Sequence, residues 1–376
     1  MRILIDARNV YKGKNGPSTY GRNLLRHLLQ IPSNISFVII KNNDWADQLS
    51  QSDRAKEVIL SLKPYDLREQ FELAKIALRE KADVFHSLLP FTSFLLPIKY
   101  IVTIQDLMAL KLPNFFRRHG WKSRFIRNYF NFMMSQSVKR SSAVLTTSEF
   151  SKREIVDYFN NNSDSVFACS AGIDDLFSLK KQVDNEAVRL RYGLPSRYFF
   201  HLGNMSEYKN VLRIIEAFKK FCEGDVGDVG LVLAGRPDQY YLREIYEKIN
   251  QLKLVNRVLV LKDVMKEDIP SLYCLAEAFV FPSISEGFGL PILEAMSCGT
   301  PVITSDAASM SEVAGNAALL VNPWSVDDIA KKMYNVFSDR ELNKQLRSAG
   351  LARVAQFSWR ATANKVLEMY KKVFEQ

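Results

Sequence analysis

The sequence predicts an α/β protein built from two doubly wound, Rossmann-like domains, each with a parallel sheet. At 376 residues the chain is too long for one compact core and suits two domains. Short, continuously apolar runs alternate with helical patterns in both halves, which is typical of parallel strands covered by helices on both faces. A polar, weakly periodic stretch separates the two series of strands and indicates the domain boundary.

Each domain is assembled from strand-like runs in chain order. Six apolar runs predict the strands of the first domain: RILIDA, SFVII, DVFHS, YIVTIQ, AVLTTS and SVFACS. Six more predict the strands of the second: YFFHLG, GLVLAG, RVLVL, AFVFPS, PVITS and AALLV. We expect domains at residues 1–172 and 196–356, a linker region at 173–195, and a helix at 357–376, where apolar residues recur at helical spacing.

Composition places the chain among ordinary globular proteins and argues against a membrane span. Hydrophobic residues make up 47% and charged residues 24% of the chain, and no apolar run reaches the roughly 18 residues that a spanning helix needs. The start of the chain lacks a secretory signal, so we expect a cytoplasmic protein. The four cysteines and four histidines show no ligand spacing, which predicts free thiols and no structural metal.

The net charge of +10 is concentrated in one segment. Residues 107–148 contain no Asp or Glu, and their basic residues are interleaved with aromatic ones. A basic face of this kind in residues 111–140 fits contact with an anionic membrane surface, here the inner face of the membrane. A solvated basic helix with aromatic residues in the core fits equally well, whereas nucleic acid is disfavoured because no binding motif accompanies the charge. The residues are Lys111, Arg117, Arg118, Lys122, Arg124, Arg127, Lys139 and Arg140, with Phe115, Phe116, Trp121, Phe125, Tyr129, Phe130 and Phe132.

The most informative segment is SISEGFGLPILEAMSCGTPVITSD, residues 283–306. An apolar run precedes it, so strand, turn and helix follow one another, and Pro291 suits the first helical position. The turn and the positive helix end aim backbone N–H groups at one point, where a diphosphate fits. Glu286 on the turn and Glu294 one helical turn later are expected to accept hydrogen bonds from neutral hydroxyl groups. The segment therefore predicts a site for a nucleotide-diphosphate sugar.

The same segment resembles the signature of the retaining glycosyltransferases of family 4, which reads S-E-G-F-G-L-P-x-L-E-A-M-x-x-G-x-P-V-I and is matched at every fixed position. The resemblance implies the GT-B fold, in which two Rossmann-like domains face each other across a cleft and the C-terminal helix packs on the first domain. It implies a nucleotide-diphosphate sugar as donor substrate, with no metal and no other cofactor. The implied donor contacts are the backbone of Gly287, Phe288, Gly289 and Leu290 for the diphosphate, Glu294 for ribose hydroxyls and Glu286 for sugar hydroxyls.

A second segment, HLGNMSEYKNVLRIIEAF at residues 201–218, resembles the family's donor-binding segment G-R-x-x-x-x-K-N. The resemblance implies that Gly203 allows a sharp backbone turn and that Lys209 places a cation against the leaving diphosphate. Asn204 stands where the family usually has Arg, so a neutral amide replaces one fixed positive charge. Lys209 and Glu286 are the candidate catalytic residues, because both would stabilise charge that develops as the donor bond breaks.

Weaker matches add candidates for substrate contact. The loop YKGKNGPSTYGRNLL resembles the family's first glycine loop, with Gly16 as the candidate for close approach to phosphate and an ordinary surface loop as the alternative. Gln105 replaces the His of the usual T-I-H-D-L segment and can hydrogen-bond a sugar hydroxyl without carrying charge. Val264 lies in a segment that holds the nucleotide base in relatives, and His86 could line the acceptor side or be a core residue.

The resemblance implies a retaining hexosyltransferase that uses a UDP-glucose or GDP-mannose type donor and a glycan or lipid-linked acceptor in cell-surface polysaccharide synthesis. Two alternatives remain open. A nucleotide-sugar epimerase on the same scaffold would convert the donor without an acceptor, but it should carry more acid–base side chains. A non-catalytic partner protein that binds nucleotide sugars is favoured by Gln105 and Asn204 and disfavoured by the intact 283–306 segment.

Overall fold

A computed structural model describes residues 1–10, 16–43, 52–62, 64–112, 115–116, 120, 122–177, 184–236 and 239–376. The chain divides into two compact units. Unit 1 comprises Met1–Gly172 together with Ser358–Gln376, and unit 2 comprises Ile173–Phe357. Each unit contains one parallel sheet with helices packed around it.

Strands and helices alternate along the chain, and every run predicted as a strand contains an observed one. The strands are β1 (Arg2–Asp6), β2 (Ser36–Lys41), β3 (Ala55–Ile59), β4 (Val84–Ser87), β5 (Lys99–Thr103), β6 (Ala143–Thr146), β7 (Val166–Ala168), β8 (Tyr198–Leu202), β9 (Gly230–Ala234), β10 (Val258–Leu261), β11 (Ala278–Phe281), β12 (Val302–Ser305) and β13 (Leu319–Val321). The helices are α1 (Gly16–Gln30), α2 (Glu69–Arg79), α3 (Met108–Lys111), α4 (Ser123–Arg140), α5 (Glu149–Phe159), α6 (Asn185–Tyr192), α7 (Val211–Phe221), α8 (Gln239–Gln251), α9 (Ile269–Cys274), α10 (Leu290–Ser297), α11 (Met310–Ala314), α12 (Val326–Ser338), α13 (Arg340–Val354) and α14 (Trp359–Glu375).

The sheet of unit 1 has the order β3-β2-β1-β4-β5-β6-β7, with all neighbours parallel. The central strand β1 pairs Ile3 with Phe37 on one side and with Val84 on the other. Ile3 is fully buried, as expected for a strand with helices on both faces. The edge strand β3 is not predicted from the sequence, because its residues AKEVI form no apolar run and only Val58 among them is buried.

Helix α14 belongs to unit 1, although it follows unit 2 in the chain. It packs on α1, where the rings of Trp359 and Tyr20 meet edge to face at 5.4 Å between centroids. The backbone of Trp359 also lies against Gly172, where a Cβ atom would be 2.2 Å from the Trp359 nitrogen. Phe357, which the sequence places at the start of this helix, instead packs on Phe288 within unit 2, at 5.8 Å between ring centroids.

His86 is a core residue of unit 1. Its ring is fully buried and hydrogen-bonds Tyr370 of α14 through Nδ1 at 2.7 Å and Thr103 of β5 through Nε2 at 2.8 Å. Burial lowers the pKa of His86 to about 3, so the ring is neutral at physiological pH. Both ring nitrogens are occupied by partners inside the unit, which favours the core interpretation over an acceptor-side role.

The sheet of unit 2 has the order β10-β9-β8-β11-β12-β13, again with all neighbours parallel. Helices α7 and α12 cover one face of it. Their buried residues recur every three or four positions, as in Ile214 and Phe218 of α7 and Ile329 and Met333 of α12, all fully buried. The continuous apolar strands and amphipathic helices confirm the predicted α/β class.

Residues 173–195, which the sequence predicts to be a linker, are grouped with unit 2 wherever the structure describes them. The carbonyl of Phe177 accepts a hydrogen bond from Ser297 Oγ at 2.8 Å. Arg191 of α6 forms an ion pair with Asp268 at 2.6 Å. The polar composition of this stretch therefore reflects contacts within unit 2, while residues 178–183 lie outside the described part of the chain.

The aromatic residues of the basic segment divide into two sets. Phe116, Tyr129 and Phe130 pack in or against the core of unit 1, whereas Phe125 and Phe132 are 76% and 55% exposed on α4. The predicted membrane-facing set is therefore only partly at the surface. Arg117, Arg118 and Trp121 lie outside the described residues.

The exposed side of α4 combines aromatic and basic residues. We call it the α4 face and define it by Arg124, Phe125, Asn128, Phe132 and Lys139, which are exposed and follow one another at helical spacing. Lys111, outside this face, is engaged in an ion pair with Glu154. No helix in the described ranges is long and apolar enough to cross a membrane.

Candidate functional site

The sheet of unit 2 has a topological switch point between β8 and β11. The chain runs from β8 outward through β9 to β10 and then returns to the other side of β8 with β11. At such a point open α/β sheets bind ligands in a crevice beyond the carboxyl ends of the strands, and the loops after β8 and β11 begin there. The first loop carries Lys209 and the second carries Glu286. The Ile284 N–H donates to the Tyr208 carbonyl at 2.8 Å and ties the two loops together.

The two predicted catalytic residues form an ion pair with each other. Lys209 Nζ lies 2.5 Å from Glu286 Oε1, and the side chains are only 10% and 11% exposed. The ammonium group also lies over the rings of Phe281 and Tyr208, at 4.7 and 5.4 Å from their centroids. Each charge is thus neutralised by the other in a largely desolvated place. A ligand that brings a phosphate to Lys209 and a hydroxyl group to Glu286 would give both side chains new partners.

The turn from Glu286 to Leu290 presents backbone N–H groups at the start of α10. Ser309 Oγ donates to the Glu286 carbonyl at 2.8 Å and fixes the beginning of the turn. Within the part of the chain that the structure describes, no protein group accepts a hydrogen bond from the N–H of Phe288, Gly289 or Leu290. These donors lie at the positive end of the helix, an arrangement that binds anions.

Gly289 and Pro291 show how the sequence makes this turn. Gly289 is the N-cap residue of α10 and has a φ of 97°, a left-handed conformation that a residue with a side chain rarely adopts. A Cβ there would also lie 3.1 Å from Ile292 Cδ1. Because α10 begins at Leu290, Pro291 occupies the second helical position and not the predicted first one. Its missing N–H still costs no helical hydrogen bond there.

Glu294 lies on α10 one turn after these N–H groups. Its Oε2 accepts a hydrogen bond from the Tyr273 hydroxyl at 3.1 Å. Removal of the carboxyl group from water raises its pKa to about 7, against the lowering effect of the Tyr273 hydrogen bond. The group therefore carries a proton part of the time near neutral pH. Its capacity to accept hydrogen bonds from hydroxyl groups changes with pH accordingly.

Gly203 and Asn204 directly follow β8. The backbone bends at Gly203 without a left-handed φ, whereas Met205 has a φ of 40°. The Gly203 carbonyl oxygen would lie 1.7 Å from a Cβ on Gly235, which accounts for glycine at position 235. The Asn204 amide is engaged inside its own loop, where Nδ2 donates to the Tyr208 hydroxyl at 2.9 Å and Oδ1 accepts from a serine hydroxyl at 2.6 Å.

Three other predicted contacts lie outside the two loops that carry Lys209 and Glu286. Val264 is partly exposed in the loop after β10 of unit 2. Gly16, the first residue of α1, and Gln105, two residues after β5, belong to unit 1. Among the described residues, a Cβ on Gly16 would meet nothing within 4 Å. Most of the preceding loop, residues 11–15, lies outside the described residues, and the roles of all three residues stay predictions.

Three residues that the motifs did not single out hold the site in place. Asn210, left-handed with a φ of 65°, donates from Nδ2 to the carbonyls of the prolines after β11 and β13, at 3.0 and 2.6 Å. Tyr273 orients Glu294. His201 is fully buried beside Lys209 and donates through Nδ1 to a β11 carbonyl at 2.9 Å, while burial lowers its pKa to about 4. Asn210 is the N of the K-N pair in the family segment, whereas no motif marks the contacts of Tyr273 and His201.

Both halves of the chain match glycosyltransferase families. Residues 15–175 match the family described as Glycosyltransferase Family 4, and residues 185–353 match Glycosyl transferases group 1. O-antigen chain mannosyltransferase B of Escherichia coli is 28% identical over 302 residues, which are 78% of this chain and 76% of that protein. O-antigen chain mannosyltransferase RfbU of Salmonella typhimurium is 33% identical over 224 residues, which are 59% of this chain and 56% of that protein.

The fold is similar to that of a solved Anabaena protein. The crystal structure of Anabaena Alr3699/HepE in complex with UDP and glucose superposes with a TM-score of 0.76 and 18% identity, covering 99% of this chain and 100% of that one. At this identity the likeness concerns the fold alone. It agrees with the two parallel-sheet units described above.

Proposed function

Because the chain belongs to the family 4, group 1 glycosyltransferases and has their GT-B fold, we propose that it transfers mannose from GDP-mannose to a growing or lipid-linked glycan in cell-surface polysaccharide synthesis. The observation that carries the proposal is the Lys209–Glu286 pair beside the N–H groups at the start of α10. The two O-antigen mannosyltransferases similar to this chain support mannose as the sugar. UDP-glucose is the alternative donor to compare with GDP-mannose, because a protein of similar fold was solved with UDP and glucose.

We assign the parts of the donor to the parts of the crevice by their chemistry. The diphosphate binds the N–H groups of residues 288–290 and takes Lys209 as its counter-ion, because both supply positive charge. Glu286, released from Lys209, accepts hydrogen bonds from the sugar hydroxyls. Glu294 accepts them from the ribose hydroxyls, one helical turn away. Lys209 and the backbone N–H groups thus neutralise the charge of the diphosphate. Because they supply this positive charge, we expect turnover without a divalent metal.

The reaction that fits this arrangement retains the anomeric configuration. The acceptor hydroxyl oxygen attacks the sugar C1 on the face from which the diphosphate leaves, the C1–O bond breaks, and the departing phosphate oxygen takes the hydroxyl proton. Negative charge grows on the phosphate, so Lys209 and the turn N–H groups bind the transition state more tightly than the donor. Glu286 stabilises the positive charge that develops at the sugar ring. No protein base is needed for this path, which agrees with a Gln at position 105.

We also propose that the α4 face of unit 1 rests on an anionic membrane surface. Phe125 and Phe132 are exposed one above the other, and Arg124 and Lys139 flank them. Aromatic side chains enter the interfacial layer, and each basic residue near anionic lipid contributes about 1 kcal/mol. Vesicles of anionic and zwitterionic lipid distinguish this surface from a merely solvated one. The proposal is supported if the protein co-sediments with anionic vesicles and the double variant Phe125→Ala/Phe132→Ala does not. Equal sedimentation of the wild type with anionic and zwitterionic vesicles argues against it.

The activity is tested with GDP-mannose and UDP-glucose, each with and without a lipid-linked mannan acceptor. We expect release of GDP and elongation of the acceptor only when GDP-mannose and acceptor are both present, with an α-linked product by NMR. Isomerised donor without acceptor would indicate an epimerase. Nucleotide binding in a thermal-shift assay without turnover on any acceptor would indicate a non-catalytic binding protein.

A further inference from the structure

Two cysteines of unit 2 lie at the C-terminal ends of two helices that pack on each other. Cys274 ends α9 and Cys298 follows α10, and the two helices pack on each other. The Cys274 thiol donates to the Cys298 carbonyl oxygen at 3.5 Å, so its sulfur lies beside residue 298, and the Cys298 thiol donates to the Phe177 carbonyl at 3.9 Å. Both are free thiols, separated by 24 residues in the chain, so no sequence motif marks them as a pair.

The two thiols differ in access. Cys298 is buried, whereas Cys274 is only partly buried and can meet a small oxidant. Arg347 of α13 donates to the carbonyl of Gly299 at 2.6 Å, next to this pair. The nearby Cys298 side chain and the positive charge of Arg347 lower the pKa of Cys274, while the nearby Cys274 side chain and burial raise the pKa of Cys298. Cys274 is therefore the thiol suited to attack, and Cys298 the thiol suited to resolve.

The pair is joined to the proposed ribose contact through short links. Tyr273, adjacent to Cys274, holds Glu294 by its hydroxyl, and Thr300 Oγ1 donates to the Tyr273 carbonyl at 2.7 Å. Glu294, in α10, lies one helical turn before Cys298, the residue that follows this helix. A covalent S–S bond of about 2.05 Å is much shorter than the contact between two thiols. Its formation would therefore pull the ends of α9 and α10 together and shift Tyr273 relative to Glu294.

We propose that Cys274 and Cys298 form a reversible disulfide on exposure to a peroxide, and that this bond weakens nucleotide binding by displacing Glu294. The second half of the proposal rests on the proposed function, and the first half does not. The Cys274 thiolate attacks one peroxide oxygen, the O–O bond breaks, and the other oxygen leaves as water after taking a proton. The resulting sulfenic acid is attacked by the Cys298 sulfur and loses its oxygen as a second water. Two thiols and one hydrogen peroxide thus give one disulfide and two waters, and a thiol reductant reverses the change.

The disulfide is tested by mass spectrometry on the intact, folded chain. The protein is treated with hydrogen peroxide, trapped with N-ethylmaleimide and digested. We expect a loss of two hydrogen masses and one cross-linked peptide pair that contains Cys274 and Cys298. Cys298→Ser should abolish the cross-link and leave Cys274 oxidised, and Cys222→Ser, the matched control, should leave the cross-link unchanged. Over-oxidation of Cys274 without a cross-link in the wild type, or a cross-link that survives in Cys298→Ser, would overturn the proposal.

The effect on the site is measured by GDP and UDP binding to reduced and oxidised wild-type protein. We expect the affinity for the preferred nucleotide to fall at least threefold on oxidation and to return with dithiothreitol, while Cys298→Ser keeps its affinity through the same treatment. Equal affinity in both states of a protein with a proven cross-link would refute the coupling to Glu294. Absence of nucleotide binding to the reduced protein would instead contradict the proposed function.

Discussion

Replacing Lys209 by methionine tests the proposed donor site most directly. The substitution keeps a long side chain and removes the charge that pairs with Glu286 at 2.5 Å. In the proposed mechanism the ammonium group donates to the leaving diphosphate, and a charge-assisted hydrogen bond contributes about 1.5–3 kcal/mol. If that contribution acts on the transition state, kcat should fall roughly 10- to 150-fold, since about 1.4 kcal/mol is a factor of ten.

The same substitution should lower stability, because it leaves the Glu286 carboxylate without a partner in a place that is 11% exposed. Leaving a buried charged group unpaired costs on the order of 1–3 kcal/mol or more. Lys209→Met/Glu286→Gln removes both charges, so it should regain much of that stability without regaining activity. This difference separates a catalytic role of Lys209 from a structural one.

The assay measures kcat at saturating GDP-mannose. Stability is measured on the same samples by unfolding in urea. Lys248→Met is the matched control, because Lys248 pairs with Glu216 at 2.6 Å on helices α7 and α8, away from the crevice. It should keep wild-type kcat and lose less than about 1 kcal/mol of stability. Wild-type kcat in folded Lys209→Met would refute the assignment of this residue to the leaving group.

Three further outcomes follow from the geometry. Because burial raises the Glu294 pKa to about 7 and ionisation improves hydrogen-bond acceptance, nucleotide affinity measured by calorimetry should increase from pH 6 to pH 8, and Glu294→Gln should bind more weakly and without that slope. Gly235→Ala should lower the melting temperature strongly or prevent folding, since its Cβ would lie 1.7 Å from the Gly203 carbonyl oxygen. Turnover with excess EDTA should equal turnover with magnesium, and a metal requirement would contradict the proposed use of Lys209 and backbone N–H groups.

The strands of both sheets were predictable because continuous apolar runs are required wherever a parallel sheet is covered on both faces. Edge strand β3 escapes this rule, because it has a neighbouring strand on one side only and its residues Lys56 and Glu57 remain at least partly exposed. The positions of Lys209 and Glu286 at strand ends were likewise predictable from the order of strand, turn and helix. Their direct pairing was not, because it depends on two loops that are 77 residues apart in the chain.

Properties that depend on residues distant in the chain could not be predicted from the sequence either. The raised pKa of Glu294 depends on its burial and on Tyr273, which lies 21 residues away and belongs to no motif. The need for glycine at position 235 was not predictable either, because it arises from the Gly203 carbonyl oxygen, which belongs to a different loop. Asn204 illustrates the same limit, since its amide is used by Tyr208 within the loop.

The return of α14 to unit 1 has a consequence for synthesis of the chain. The sheet of unit 1 is made first, yet Tyr370, which hydrogen-bonds its buried His86, is made only after all of unit 2. At about 5–20 residues per second, the nascent sheet waits on the order of ten seconds or longer with this surface uncovered. Unit 2 is one continuous stretch of the chain, so it can fold while unit 1 still lacks α14. We therefore expect ribosome-bound intermediates in which the later-made half is native and the earlier-made half depends on chaperones.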